Sequence, residues 1–289
     1  MTPTSPSTSS PASPVAAARG YLLREGRLLE RRRFATEFEG ASPDGVVDAL
    51  LGYRNADGGF GHGLEPDKRT PRSQPLDVQF ALEALVHSAA RAPELATAAA
   101  SFLEAMAEPD GMVTLVLPGV EDFPHAPHVS AASFPPGLNP TALLAGLLHA
   151  MGVAHPWRER ATEACLAALE RDGVPTEGHV IHAVVVLLEH VPDRARADAL
   201  AHASYFRSDA DDPEYGITPT DLAPTPASPW RALFADADFD AHLDRLARDQ
   251  QPDGGWPINW PAVSAATETE YRSIRTLDAL HVLTAYGRL

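Results

Sequence analysis

Apolar residues recur at helical spacing along almost the whole chain, and no stretch alternates apolar with polar residues as a half-buried strand would. The periodicity predicts helices near 14–36, 43–54, 73–91, 93–107, 138–153, 157–171, 177–190, 193–206, 228–234, 237–250 and 264–286. They fall into two kinds. Segments 142–151, 180–188 and 277–286 are nearly uncharged, and a helix apolar on most faces is buried on most faces. Segments 157–171, 193–206 and 239–250 are charged and amphipathic, which puts one face in water. An inner ring of the first kind inside an outer ring of the second satisfies both patterns. The expected fold class is all-α, a single α/α toroid of about eleven helices.

Between the helices a glycine-centred turn returns. It reads Asn55-Ala56-Asp57-Gly58-Gly59-Phe60 early and Gln251-Pro252-Asp253-Gly254-Gly255-Trp256 late, with shorter forms at Asp110-Gly111, Asp172-Gly173 and Tyr215-Gly216. An Asp followed by glycine reverses the chain where a positive φ is needed, and the aromatic after it packs back on the helix ends. Each turn leads from an outer to an inner helix, so the residues after the turns are expected to gather at one mouth of the ring.

Composition narrows the classes. With 44% hydrophobic residues the chain can build a sizeable core, and a formal charge of −16 argues against a nucleic-acid partner. The single Cys165 excludes an internal disulfide framework and fits a reducing cytoplasm; within an Ala/Leu helix it reads as a packing residue. Residues 1–13, rich in Ser, Thr and Pro, read as a disordered tail ahead of one domain over 14–289. No run is long and apolar enough to predict a transmembrane segment, so the expected localisation is cytoplasmic.

The turn at 250–256 resembles the glutamine-tryptophan repeat of squalene-hopene cyclases, related class II terpene cyclases and protein prenyltransferase β-subunits, and 53–60 is a second copy. The chain also resembles similar-sized actinobacterial proteins described as prenyltransferase-like. This terpenoid-cyclase and prenyltransferase resemblance implies the toroid, a cavity for an isoprenoid, and an aspartate that protonates an alkene in a dry pocket. The family's acid motif opens an inner helix after such a turn. Here that place holds Gln74-Pro75-Leu76-Asp77, which retains the last aspartate and puts Leu76 at the protonating position. A literal Asp209-Ala210-Asp211-Asp212 occurs later, as a second candidate acid or as a solvated turn.

The densest polar stretch, 61–74, supplies His62, Glu65, Asp67, Arg69, Arg72 and Gln74. His and carboxylates offer acid or base chemistry, and the two arginines could hold a phosphate or carboxylate. The same residues could instead form a loop tied by its own ion pairs. Near the C-terminus Trp260, Glu270, Arg272 and Arg275 form a second cluster, and Phe80 is placed to line a pocket. His125 with His128, and His179 with His182, are the only histidine pairs at ligand spacing; no zinc set of the prenyltransferase kind can be assigned, and magnesium would enter only with a diphosphate substrate.

The leading expectation is a small terpene-cyclase-like enzyme, of lyase or isomerase type, acting on a prenyl diphosphate or polyprenyl chain. Asp77, or Asp211 and Asp212, would be the acid, His62 its tuning partner, and Arg69 and Arg72 the headgroup anchors. A non-catalytic toroid that binds a lipid, another amphiphile or a peptide is the alternative. A carbohydrate-active α/α barrel using Glu65, Asp67 and Glu270 is the third.

Overall fold

Prolines start many of the helices, because a first-turn N–H has no intrahelical partner to lose. The computed structural model describes residues 13–173, 177–203 and 217–289, and among them it contains helices, three 3-10 turns and isolated bridges but no strand. The helices are α1 (Pro14–Glu25), α2 (Leu28–Glu39), α3 (Asp44–Leu51), α4 (Pro75–His87), α5 (Pro93–Met106), α6 (Leu138–Ala150), α7 (Pro156–Asp172), α8 (Gly178–His190), α9 (Arg194–Ala203), α10 (Pro219–Leu222), α11 (Asp236–Arg248) and α12 (Ala265–Ala285).

Three differences from the periodicity have local causes. The single helix expected over 14–36 is broken at Gly26 and Arg27: Gly26 caps α1 by donating to the Leu22 carbonyl, and Arg27 leaves helical geometry as the N-cap of α2. The freed Arg27 guanidinium donates to the carbonyls of Gly63 and Leu64 and to Glu30, so the break orients α2 toward the polar loop. The helix expected at 228–234 is a 3-10 turn, Pro229–Leu233. The short α10 was not expected; Thr218 and Asp221 close a reciprocal cap around it.

The glycine turns are built alike. At 55–59 the Asn55 N–H donates to Gly59 O, the Gly58 N–H to Asn55 O, and the Gly59 N–H to Asp57 Oδ1. The same three bonds recur at 251–255, made by Gln251, Gly254 and Gly255 with Asp253, and at 108–112, made by Glu108, Gly111 and Met112 with Asp110. The fourth residue of each is a glycine at positive φ: +89° at Gly58, +100° at Gly111, +95° at Gly254. Each of these glycines lies against the backbone of a helix other than the two its turn joins, Gly58 on Ala98 of α5, Gly111 on α7 at Arg160 and Ala161, Gly254 on Ala17 of α1. A β-carbon at Gly254 would stand 2.1 Å from the Ala17 carbonyl oxygen. The last turn therefore meets the first helix as the earlier turns meet their successors.

Helix packing follows the same progression. α4 packs on α6, α6 on α7 and α8, α8 on α10, α10 on α11, α11 on α12, and α12 on both α1 and α2. The core around Leu82, Leu144, Trp157 and Val184 is continuous through α3 to α8. A smaller core of Tyr21, Leu22, Phe34, Trp256 and Leu280 joins the two ends of the described chain.

Candidate functional site

The loop from His62 to Gln74 is more deeply buried than its composition suggests. Lys68 has no exposed surface, and its Nζ lies 2.9 Å from Asp77 Oδ1 and 3.1 Å from Glu65 Oε2. The Glu65 N–H donates to the same Asp77 oxygen at 2.8 Å. From α12 the Tyr271 hydroxyl donates to Glu65 and, at 3.2 Å, to Asp67 Oδ2, which also faces His128 Nε2 at 3.5 Å. Burial pushes the Asp77 carboxyl up to about 6 despite Lys68, and raises the Tyr271 phenol well above its ordinary value, with Glu65 and Asp67 adding to the effect. The hydrogen bond to Asp67 raises the His128 imidazole against its partial burial.

The other expected site residues have assigned partners. Arg69 pairs with Glu270 at 2.9 Å, and Arg72 with Asp122 at 3.1 Å. Arg272 makes two 2.9 Å bonds to Asp253 and stacks over Tyr21. Gln74 accepts from the Leu117 N–H at 2.6 Å, tying the loop to the following segment. His62 is exposed at positive φ and contacts Asn55 Oδ1 at 2.9 Å, so Lys68 rather than His62 stands beside Asp77. Trp260 meets Tyr271 edge-on with centroids 5.2 Å apart. Asp211 and Asp212 lie outside the described residues. Cys165 is buried, which pushes its thiol up to about 12. No group of three His, Cys, Asp or Glu side chains among the described residues could hold a metal ion.

A second polar system, unread in the sequence, runs along α4 and α12. On α4 the residues that keep accessible surface are Leu76, Gln79, Phe80, Glu83, Val86 and His87, one face of an otherwise buried helix. Its polar members, Gln79, Glu83 and His87, follow one another at steps of four. On α12 the matching series is Arg275, Asp278 and His281, each partly accessible. That spacing was the available signal: three polar residues at one helical face within apolar surroundings.

α4 and α12 run in the same direction and are tied at both ends, through Glu65 at one and through Glu37 of α2 at the other. Tyr271 and Asp77 meet through Glu65 at one end; ten residues further along each helix, about 15 Å, the His87 and His281 rings are 5.7 Å apart. Glu83 and Asp278 fall at one level between these ties. Arg33 of α2 contacts Glu37 at 3.0 Å and His87 Nδ1 at 3.2 Å, and Glu37 accepts from Ser88 and pairs with His281, both at 2.7 Å. Arg275 faces Asp221 at 3.5 Å. Burial opposes the Glu37 charge, but the His281 bond and Arg33 hold its carboxyl well below the usual range.

Glu83 differs from Glu37. Its hydrogen bond comes from the neutral Gln79 amide at 3.0 Å. Burial pushes its carboxyl up to about 7, and Asp278 adds to the shift. Asp278 is itself raised by burial, with Arg275 and Arg33 acting the other way. Burial, then Arg33, drives the His87 imidazole down to about 3. With its carboxyl pushed up to about 7, Glu83 is poised near neutral pH between its two forms, one turn from the His87 imidazole, a pairing able to donate and accept protons.

Comparison with protein-family models and with curated proteins finds no match for the chain. No helix among the described residues is long and apolar enough to cross a membrane.

Proposed function

We propose that the chain is an α/α toroid of the terpene-cyclase kind whose interior has the chemistry of a polar site, and that it acts by proton transfer on a hydroxyl-bearing small molecule of carbohydrate type. The toroid is supported by three turns with the same bonds, the first two each set against the helix after the one they lead into, and by the seating of Gly254 against α1. The observation that carries the substrate class is the polar share of the accessible faces of α4 and α12, Gln79, Glu83, His87, Arg275, Asp278 and His281, set beside Leu76, Phe80, Val86, Tyr271 and Ile274. An isoprenoid cation needs aromatic walls, whereas hydroxyl groups need donors and acceptors. Glu83 is the proton donor, and His87 is the neutral base beside it. Glu65, Asp67 and Asp77 brace the mouth through Lys68 and Tyr271.

The isoprenoid reading competes through Phe80 and the Trp260–Tyr271 pair near the mouth. One experiment separates the two: thermal shift and mass-spectrometric product analysis against neutral and amino oligosaccharides and C10 to C20 prenyl diphosphates, with and without magnesium. Stabilisation or cleavage with the saccharides alone supports the polar reading. A cyclised or rearranged hydrocarbon overturns it in favour of the isoprenoid.

A further inference from the structure

The Glu37 carboxylate of α2 is committed on both oxygens. Oε1 accepts from Ser88 Oγ at 2.7 Å and from Arg33 Nε at 3.0 Å, and Oε2 meets His281 Nε2 at 2.7 Å. The Glu37 side chain is 1% exposed and the His281 side chain 35%, so a buried carboxylate carries an accessible imidazole. An ionised carboxylate only accepts, so Nε2 is the ring nitrogen that bears the hydrogen, and the neutral ring keeps its lone pair on Nδ1. No hydrogen bond among the described residues reaches that Nδ1. The ring is also held on its sides, with Phe38 at 5.2 Å and His87 at 5.7 Å between centroids. The ionisable groups around it are Glu37 and Arg33 of α2, His87 of α4 and Asp278 of α12.

We infer that His281 is a further catalytic base of this face, with Glu37 its positioning residue and Arg33 and Ser88 holding Glu37 in turn. This deepens the proton-transfer reading and rests on it. The two imidazoles have opposite surroundings: His87 has a guanidinium at Nδ1, which disfavours a positive charge on the ring, whereas His281 has a carboxylate at Nε2, which favours one. A proton taken by Nδ1 therefore leaves an imidazolium stabilised by Glu37, and its bonding pair stays on the substrate atom that gave it. Glu37 takes no proton in this step; it fixes which nitrogen is free and where the ring points.

Kemp elimination of 5-nitrobenzisoxazole reports such a base without a matched substrate: the base takes the C3 proton, the freed pair forms the nitrile, the N–O bond breaks, and a yellow nitrophenolate leaves. The full chain is expected to catalyse it faster than imidazole at equal concentration. His281→Gln, which keeps a donor for Glu37 but no base, should lower kcat about a hundredfold or more. His190→Gln, at the exposed end of α8, should leave the rate unchanged. Glu37→Gln should lower kcat about ten- to a hundredfold with KM unchanged, the range of a hydrogen bond to a charged group. Nitrogen-15 NMR of the native chain, with the His281→Gln spectrum supplying the assignment, should place the hydrogen of the neutral ring on Nε2. A rate untouched by His281→Gln, a rate no higher than that of imidazole, or a hydrogen on Nδ1 overturns the inference. Saccharide binding is read separately, so its absence beside an active base overturns the polar substrate and leaves His281 standing.

Discussion

Lys68 Nζ and Asp77 Oδ1 stand 2.9 Å apart with neither side chain exposed, so the aspartate at the expected acid position is half of a buried ion pair. Breaking such a pair from one side strands a charge, which costs about 3–5 kcal/mol. Lys68→Met should destabilise the chain by that amount in urea unfolding. Lys68→Met combined with Asp77→Leu should cost less than the two single changes summed, because it leaves one buried carboxylate of Lys68, that of Glu65, in place of two. A double variant as unstable as the sum of the singles would refute a bracing role.

That pair also marks where sequence reasoning stopped. The turns were readable because an Asp before a glycine has few other uses, and Gly58, Gly111 and Gly254 sit in the geometry that pattern demands. The helices were readable from periodicity apart from three places: the break at Gly26, where Arg27 turns out to bond the polar loop, the 3-10 turn at Pro229–Leu233, and the short α10. Partners were not readable: Arg69 and Glu270 lie 201 residues apart, and a charged loop looks the same whether its ions meet a ligand or one another. Glu83, His87 and Asp278 were passed over because each stands alone among apolar neighbours. Only the register of α4 against α12 brings them to one place.

Stability should respond to pH through Glu83 in a known direction. Its carboxyl moves from an ordinary 4.5 to about 7 on folding, so the native state holds the extra proton between those values. The stability this provides is complete below pH 4.5 and is lost as pH rises to 7. His87, pushed down to about 3, acts oppositely: its contribution is complete above its ordinary value of 6.5 and is lost as pH falls toward 3. The informative quantity is the difference between the native chain and Glu83→Gln. The native chain should lose on the order of 1–2 kcal/mol relative to the variant between pH 4.5 and 8, after allowing for the water that reaches the group. Parallel stability curves would contradict the assignment.

The closing turn gives a third expectation. Gly254→Ala meets both a positive φ and the Ala17 carbonyl oxygen, whereas Gly152→Ala meets a positive φ of +67° with nothing within 4 Å. The Gly152 variant should lose about 1–2 kcal/mol, the left-handed penalty alone. Gly254→Ala should lose clearly more and expose α1 to proteolysis. Equal losses would show that the last turn does not hold the first helix.

The central claim is that the Glu83 face of α4 opens to solvent inside the protein. It is most directly tested by cysteine labelling, since the native chain has one cysteine, buried and with its thiol pushed up to about 12. Glu83→Cys should react with a small methanethiosulfonate reagent more slowly than Leu28→Cys on the surface and far faster than Val184→Cys in the core. Glu83→Cys as inert as Val184→Cys would contradict an accessible interior face, and with it the site proposed there.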